Sequence, residues 1–118
     1  MDTEHCGPVI AYEPLSSAIH WTFIMKGFGV GNAVRPPSFE VITDTGTSFI
    51  GGPKSQTDWI AKKVGAKYLE KYRLYHIPCD AKLPYFHIYI GSKTYSIEPA
   101  NYLIEVSLED QCKSSDKI

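Results

Sequence analysis

The stretch "VITDTGTSFIGGP", residues 41–53, places an aspartate between an apolar run and a Thr-Gly pair. An Asp-Thr-Gly after a strand is a common turn, because Asp accepts backbone hydrogen bonds and Gly tolerates a positive φ. The stretch also suits a catalytic acid, which needs fixed hydrogen-bond donors and close approach of the backbone. Asp44 is therefore a candidate catalytic residue, with a plain turn aspartate as the alternative.

The composition is that of a folded domain or of a part of one. The chain has 118 residues, of which 43% are hydrophobic and 21% charged, so intrinsic disorder is not expected. Twelve Lys and Arg balance 13 Asp and Glu without a basic stripe, which argues against nucleic acid or an anionic membrane as a partner. We expect no membrane span and no signal peptide, because no long apolar run occurs and "MDTEHCGP" lacks a signal pattern.

The residues around this stretch predict strands and one helix. Alternating apolar residues in "HWTFIMKGFGVGN", residues 20–32, predict a strand and a turn, and "EVITD", residues 40–44, predicts a second strand after the proline-containing loop "RPPSF". A short helix is predicted near residues 55–65. Ser55 and Asp58 resemble a capping box at its start, and Gly65 is a natural stop.

The second half of the chain predicts four further strands. They are "RLYHIPC", "YFHIYIG", "KTYSIEP" and "NYLIEVS", and Gly91-Ser92 has the length and chemistry of a two-residue hairpin turn. The fold class is therefore mostly β, with antiparallel sheets and one short helix, and a doubly wound α/β sheet fits poorly. Residues 1–112 are expected to form the folded part, and residues 113–118 a disordered tail.

"ITDTGTSFIGGP" resembles the second active-site segment of pepsin-like aspartic proteases. "GPVIAYEPLSSAIHWTFIMKGFGVGN" is similar to the start of the C-terminal lobe in that family, and "GPKSQTDWIAKKVGA" stands where the family has a helix. "IPCDAKLPYFHIYIGSKTYSIEPANYLIEV" continues the likeness, which covers roughly residues 6 to 112. The resemblance implies a portion of the C-terminal lobe in a pepsin-like aspartic endopeptidase, and it implies an incomplete lobe.

The resemblance also assigns roles to the active-site segment. Asp44 would be one of two catalytic aspartates. Thr45 would join the hydrogen bonds that connect the two active-site loops of the family. Gly46 would present its backbone N–H to the carboxylate, and Thr47 would offer its hydroxyl to the outer carboxylate oxygen.

Two neighbours of this segment are weaker candidates for substrate binding. They are Ile42, two residues before the acid, and Ser48. A serine nucleophile at Ser48 is not indicated, because no Gly-x-Ser-x-Gly elbow surrounds it. No metal site and no cofactor are expected, because the four histidines show no ligand spacing with each other or with cysteine.

The three cysteines allow at most one disulfide within the chain. Cys79 and Cys112 stand where the family closes a disulfide in its C-terminal lobe, and such a bond would stabilise the fold by roughly 3 to 4 kcal/mol in the chain-entropy model. It would imply an oxidising compartment, so a secreted or lysosomal protein is expected. Cys6 is either a buried thiol or bonded to residues outside this chain.

Aspartic-protease chemistry needs two carboxylates that share a proton, and Asp-Thr-Gly occurs once in this sequence. The main hypothesis is a module that contributes one aspartate to a two-lobed endopeptidase, with a missing N-terminal lobe as partner and a peptide or protein as substrate. The alternative is an inactive protease-like remnant that binds peptides or a protein partner. A third hypothesis is a homodimer that pairs two copies of Asp44.

Overall fold

The computed structural model describes residues 2–36, 38–108 and 111–116, with side chains as far as residue 104. In chain order the elements are β1 (Thr22–Val30), β2 (Ala33–Arg35), β3 (Phe39–Ile42), α1 (Lys54–Val64), β4 (Lys67–Leu69), β5 (Leu74–Pro78), β6 (Phe86–Ile90), β7 (Lys93–Ile97), α2 (Pro99–Tyr102), β8 (Leu103–Leu108) and β9 (Gln111–Asp116). These elements form two antiparallel sheets, which confirms the predicted fold class.

The first sheet is organised around β1. One edge of β1 pairs with β3 and β2 in turn, and the other edge pairs with β6, which continues into β7. The hairpin between β6 and β7 turns at Gly91 and Ser92, as predicted, and pairs Ile90 with Lys93. The register of β1 shifts between Met25 and Gly27, where the φ of Gly27 is 153° and an added Cβ would meet the Arg35 carbonyl oxygen at 2.8 Å. A side chain at Gly27 would therefore collide with β2.

The second sheet has the strand order β4-β5-β9-β8. β9 lies between β5 and β8, and it pairs with β8 along its whole length and with β5 over residues 113–116. The prediction of a disordered tail is wrong for residues 113–116, whose backbone lies in β9, while residues 117 and 118 lie outside the described residues. The segment Lys-Ser-Ser-Asp has a low intrinsic preference for strand. Backbone hydrogen bonds to its two neighbouring strands stabilise the strand conformation instead.

The predicted helix is confirmed as α1, and it stops at Gly65, whose φ is 80°. Its start differs from the capping box that the sequence suggested. Pro53 is the N-cap, no side chain caps the helix, and Asp58 pairs with Lys54 one turn away. The four-residue helix α2 was not predicted. Within the described residues, no helix combines the length and the apolar character needed to cross a membrane.

The core lies where α1 meets the two sheets, and aromatic rings fill much of it. The Phe28 ring of β1 stacks on Phe86 of β6 with ring centroids 6.0 Å apart. It also meets Trp59 of α1 edge to face at 5.6 Å. Other buried residues around these rings come from β1, α1, β5 and α2, and they are Val30, Ile60, Ala61, Tyr75 and Tyr102.

Replacing Phe28 by alanine should lower the free energy of unfolding by about 3–5 kcal/mol, because the ring is buried and its neighbours cannot fill the cavity. Urea unfolding followed by circular dichroism measures the change. Tyr12→Ala is the matched control. It also deletes an aromatic ring, but Tyr12 is 88% exposed, so a change within about 0.5 kcal/mol is expected. Equal effects in the two variants would contradict this description of the core.

Candidate active site

The loop that carries Asp44 begins where β3 ends. β3 pairs antiparallel with β1, so that Ile42 lies opposite Thr22. One residue later, the Thr43 N–H donates to the Trp21 carbonyl oxygen at 3.2 Å. This hydrogen bond extends the pairing of the two strands to the residue before Asp44. The entry of the loop is therefore fixed to the central strand of the first sheet.

Asp44 is exposed, and its carboxylate takes part in a tight local turn. The Gly46 N–H donates to Asp44 Oδ1 at 2.9 Å. A Cβ added to Gly46 would stand 3.1 Å from the same oxygen, so glycine lets the backbone approach the carboxylate closely. This hydrogen bond suits a turn aspartate and a catalytic one equally well, because both need a donor fixed at the carboxylate.

The other residues of the segment are exposed with Asp44. The Thr47 hydroxyl oxygen accepts a hydrogen bond from the Phe49 N–H at 3.1 Å, which makes a second local turn. Thr45 and Ser48 are also open to solvent. The role predicted for Thr47 is a hydrogen bond from its hydroxyl to the outer carboxylate oxygen, and it stays a prediction. The roles predicted for Thr45 toward a second loop and for Ser48 toward a substrate concern groups outside this chain, and they also stay predictions.

Apolar side chains lie next to the acid on the solvent side. Ile42 is 53% exposed at the end of β3. Trp21 is 71% exposed, and its carbonyl oxygen accepts the hydrogen bond from Thr43, the residue after Ile42. Ile19, just before Trp21, is also exposed. Three exposed apolar side chains thus lie at the strand ends that lead into the Asp44 loop, and of these only Ile42 was predicted as a substrate contact. The signal for Trp21 was its place directly before a strand that pairs with β3.

The predicted disulfide falls partly outside the described side chains. Cys79 is half-buried and follows β5 directly. The backbone register pairs Pro78 with Lys113, which places Cys112 opposite Cys79 at the next step of an antiparallel ladder. The side chain of Cys112 lies outside the described residues, so the disulfide stays a prediction. Cys6 is a free, exposed cysteine, so the interpretation as a buried thiol is wrong.

Among the residues that the structure describes, no cluster of three or more His, Cys, Asp or Glu side chains could hold a metal ion. A further group of polar contacts, on α1, was not predicted from the sequence. Lys54 and Asp58 form an ion pair on α1, and Asp58 is bonded to the hydroxyl of Tyr75 in β5. The spacing of Lys54 and Asp58, four residues apart on a predicted helix, was the available signal.

Comparison with known proteins agrees with this geometry. The profile of the eukaryotic aspartyl protease family matches residues 1–115. The two sheets and the Asp-Thr-Gly loop thus define an aspartyl protease type of fold, and this chain belongs to the eukaryotic aspartyl protease family.

Several curated relatives share this similarity. The chain is 44% identical over 112 residues to Aspartic protease 6 of Caenorhabditis elegans, covering 95% of this chain and 28% of that protein. It is 33% identical over 106 residues to Aspartic protease 10 of the same nematode, covering 88% and 25%. It is 30% identical over 110 residues to Cathepsin D of Mus musculus, covering 90% and 27%. The chain therefore spans about a quarter of the length of these relatives.

Replacing Asp44 by alanine should change the free energy of unfolding by less than about 1 kcal/mol, because the side chain is exposed and loses one hydrogen bond. Urea unfolding measures the stability, and the amide resonance of Gly46 reports the turn. Asp44→Asn is the control, since its amide oxygen can still accept from Gly46. A loss of several kcal/mol in Asp44→Ala would make Asp44 a structural residue of this chain.

Proposed function

We propose that this chain is the part of an aspartic endopeptidase that supplies one of its two catalytic carboxylates, Asp44. One observation carries the proposal. This member of the aspartyl protease family has an Asp-Thr-Gly loop, and Asp44 in that loop is exposed and has no charged partner among the described residues. An acid or base that acts on a substrate must be reachable from solvent and held in one orientation. The exposure of Asp44 and its hydrogen bond from Gly46 supply these two properties.

In the proposed reaction two carboxylates share one proton. The ionised carboxylate takes a proton from a bound water, the water oxygen attacks the peptide carbonyl carbon, and the protonated carboxylic acid gives its proton to the carbonyl oxygen. The C–N bond of the resulting tetrahedral diol then breaks as the first carboxyl group passes its proton to the leaving nitrogen and the second takes a proton back from a diol hydroxyl, which releases a carboxylic acid and an amine. The reaction should be favoured by acid, because one of the two groups must stay protonated. Asp44 would be one member of the pair, and a missing N-terminal lobe would provide the other. The substrate would be a peptide or protein, with apolar side chains near Ile42 and Trp21.

Two other functions stay open for the chain by itself. Because Asp-Thr-Gly occurs once, the chain could be an inactive remnant that binds a peptide or a protein partner through the exposed apolar side chains at the strand ends that lead into the loop. Two copies could instead pair their Asp44 side chains in a homodimer. The three functions differ in the peptidase activity expected of the isolated chain and in the activity expected when the chain is combined with a second lobe.

The decisive experiment compares the isolated chain with a chimera. In the chimera, the 112 residues of this chain that match Aspartic protease 6, the 44% identical relative, replace the matching segment of that protein. Peptide hydrolysis is measured at acid pH with and without pepstatin. We expect little or no activity from the isolated chain and pepstatin-sensitive activity from the chimera, reduced about 10²–10⁴-fold by Asp44→Asn, which removes one acid–base group.

Asp80→Asn is the matched control for the chimera. It makes the same chemical change at another exposed aspartate, away from the loop, and should leave the activity unchanged. An inactive but folded chimera would favour the remnant. Activity of the isolated chain that depends on Asp44 would favour the homodimer.

We also propose that Cys79 and Cys112 form a disulfide and that the protein works in an oxidising compartment, outside the cell or in the lysosome. The backbone register between β5 and β9 supports this pairing. Mass spectrometry of a non-reduced digest should find the two cysteines in one linked peptide pair and Cys6 outside it. A Cys6–Cys79 link, or two free thiols in protein purified from an oxidising compartment, would refute the proposed disulfide.

A further inference from the structure

A cluster of polar side chains lies at the start of α1, where the helix meets the second sheet. The Lys54 ammonium donates to both carboxylate oxygens of Asp58 at 2.8 Å. The Tyr75 hydroxyl donates to Asp58 Oδ1 at 2.5 Å and lies 2.9 Å from the Thr57 hydroxyl oxygen. Because Tyr75 has one proton and gives it to Asp58, the Thr57 proton is shared between the Tyr75 oxygen and the Lys54 carbonyl oxygen, which lies 3.2 Å from the Thr57 hydroxyl oxygen. We call Lys54, Thr57, Asp58 and Tyr75 the junction cluster.

The junction cluster joins α1 to the second sheet through a buried side chain. Tyr75 is 4% exposed, is the second residue of β5 and packs its ring against Tyr68 of β4 with centroids 5.1 Å apart. The Lys54 ammonium lies 4.8 Å from the centroid of the same Tyr68 ring, a cation–π contact. The first turn of α1 is therefore attached to two strands of the second sheet.

The same turn of α1 is attached to the first sheet on its other side. The Arg35 Nε of β2 donates to the Gln56 side-chain oxygen at 2.5 Å. The Arg35 guanidinium also lies over the Trp59 ring, 5.5 Å from its centroid. Side chains from both sheets thus meet consecutive residues of one helical turn. The position of this turn depends on both sheets at once.

The first turn of α1 is in direct contact with the end of the Asp44 loop. The Gln56 and Thr57 N–H groups donate to the Pro53 carbonyl oxygen at 2.8 and 3.2 Å. The Thr57 methyl group lies under Gly52, 3.7 Å from where a Cβ would stand on that glycine. A displacement of Thr57 would therefore move Gly52 and Pro53.

The middle of the loop has weaker supports than its two ends. The hydrogen bonds recorded for Asp44 and Thr47 are both to residues two positions further along the chain. Such local bonds shape the turns but do not fix them relative to the sheets. The position of the loop is consequently set by its entry from β3, by Ile50, which packs against the core, and by its exit into α1.

We propose that Tyr75 and Asp58 are positioning residues for the Asp44 loop, acting through the first turn of α1. Tyr75 holds Thr57 and Asp58 on the second sheet, and Thr57 in turn supports the loop at Gly52 and Pro53. The description of this loop as catalytic rests on the proposed function, whereas the mechanical coupling rests on the contacts alone.

The charge states of the junction cluster suit a protein that works in acid. Hydrogen bonds from Lys54 and then from Tyr75 lower the pKa of Asp58, so its charge persists below the pH at which an ordinary aspartate is half protonated. Burial, followed by the hydrogen bond to Asp58, raises the pKa of Tyr75 and keeps its hydroxyl proton in place. The stabilisation from Asp58 is present above the ordinary aspartate pKa and disappears only as the pH falls through the lowered folded value.

The test measures the loop directly in the 118-residue chain by NMR. Tyr75→Phe removes the hydroxyl and keeps the ring, and Thr57→Val removes the hydroxyl and keeps the methyl group under Gly52. For both variants we expect amide shifts at residues 46–52 and about fivefold faster hydrogen exchange at Gln56 and Thr57, the factor for one net hydrogen bond. Amides of β6 should keep their wild-type shifts.

The control is Ser96→Ala, which removes a hydrogen bond of 2.8 Å to His87 Nδ1 in the β6–β7 hairpin, outside the junction cluster. It should leave residues 46–52 unchanged. The proposal is overturned if Tyr75→Phe alters β5 and α1 but leaves the loop amides at their wild-type positions, or if the control shifts them equally. If Tyr75→Phe does not fold, Asp58→Asn gives the same readout, because Asp58 is exposed.

The result is independent of the test of catalysis. An active chimera with a loop insensitive to Tyr75 would remove the positioning role and keep the proposed function. An inactive chimera, together with a loop that responds to the Tyr75 substitution, would remove the proposed function and keep the positioning role.

Discussion

The packing of Trp59 against Phe28 is the interaction on which the rest of the structure depends. It places α1 on the first sheet, with the Trp59 ring edge to face with Phe28 and the Phe28 ring stacked on Phe86. Because the loop of Asp44 runs from β3 into α1, this contact sets the distance that the loop has to span. Burial of aromatic surface, together with that of Ile50, thus fixes the position of an exposed acid.

The two ends of the loop are fixed by different kinds of force. At its entry, backbone hydrogen bonds between β3 and β1 define the register, so that Ile42 and Thr43 lie beside the start of β1. At its exit, side chains from two sheets hold the first turn of α1. Backbone pairing is insensitive to the identity of the side chains, whereas the exit depends on particular residues. Differences between relatives in the placement of this loop should therefore arise mainly at its exit.

The sequence predicted most of the fold because its strong signals are local. The alternation in β1, the Gly-Ser hairpin turn between β6 and β7, and the stop of α1 at Gly65 each depend on a few neighbouring residues. The elements it missed, β2, β4, α2 and β9, have three to six residues each. β9 shows the reason, since its Lys-Ser-Ser-Asp segment forms a strand only between β5 and β8. Tertiary pairing decided its conformation, and local propensity did not.

The sequence predicted only part of the candidate site, because there too its strong signals are local. Asp44 and Gly46 are neighbours in the sequence, and their hydrogen bond follows from a three-residue motif. The exposed Trp21 lies near Asp44 and Gly46 because of the register between β1 and β3. Tyr75 contacts Asp58, which is 17 residues away in the sequence. A sequence shows that an aspartate and a tyrosine exist, but only the packing of α1 on the second sheet shows that they meet.

The bond between Tyr75 and Asp58 also has a consequence for how this chain can evolve. Losing Asp58 leaves the hydroxyl of the buried Tyr75 without this acceptor, whereas removing that hydroxyl as well leaves no donor unpaired. Substitutions at these two positions should therefore show epistasis, each harmful alone and tolerated together. Lineages in which the pair has been replaced would then have crossed a less stable intermediate or acquired a compensating change first.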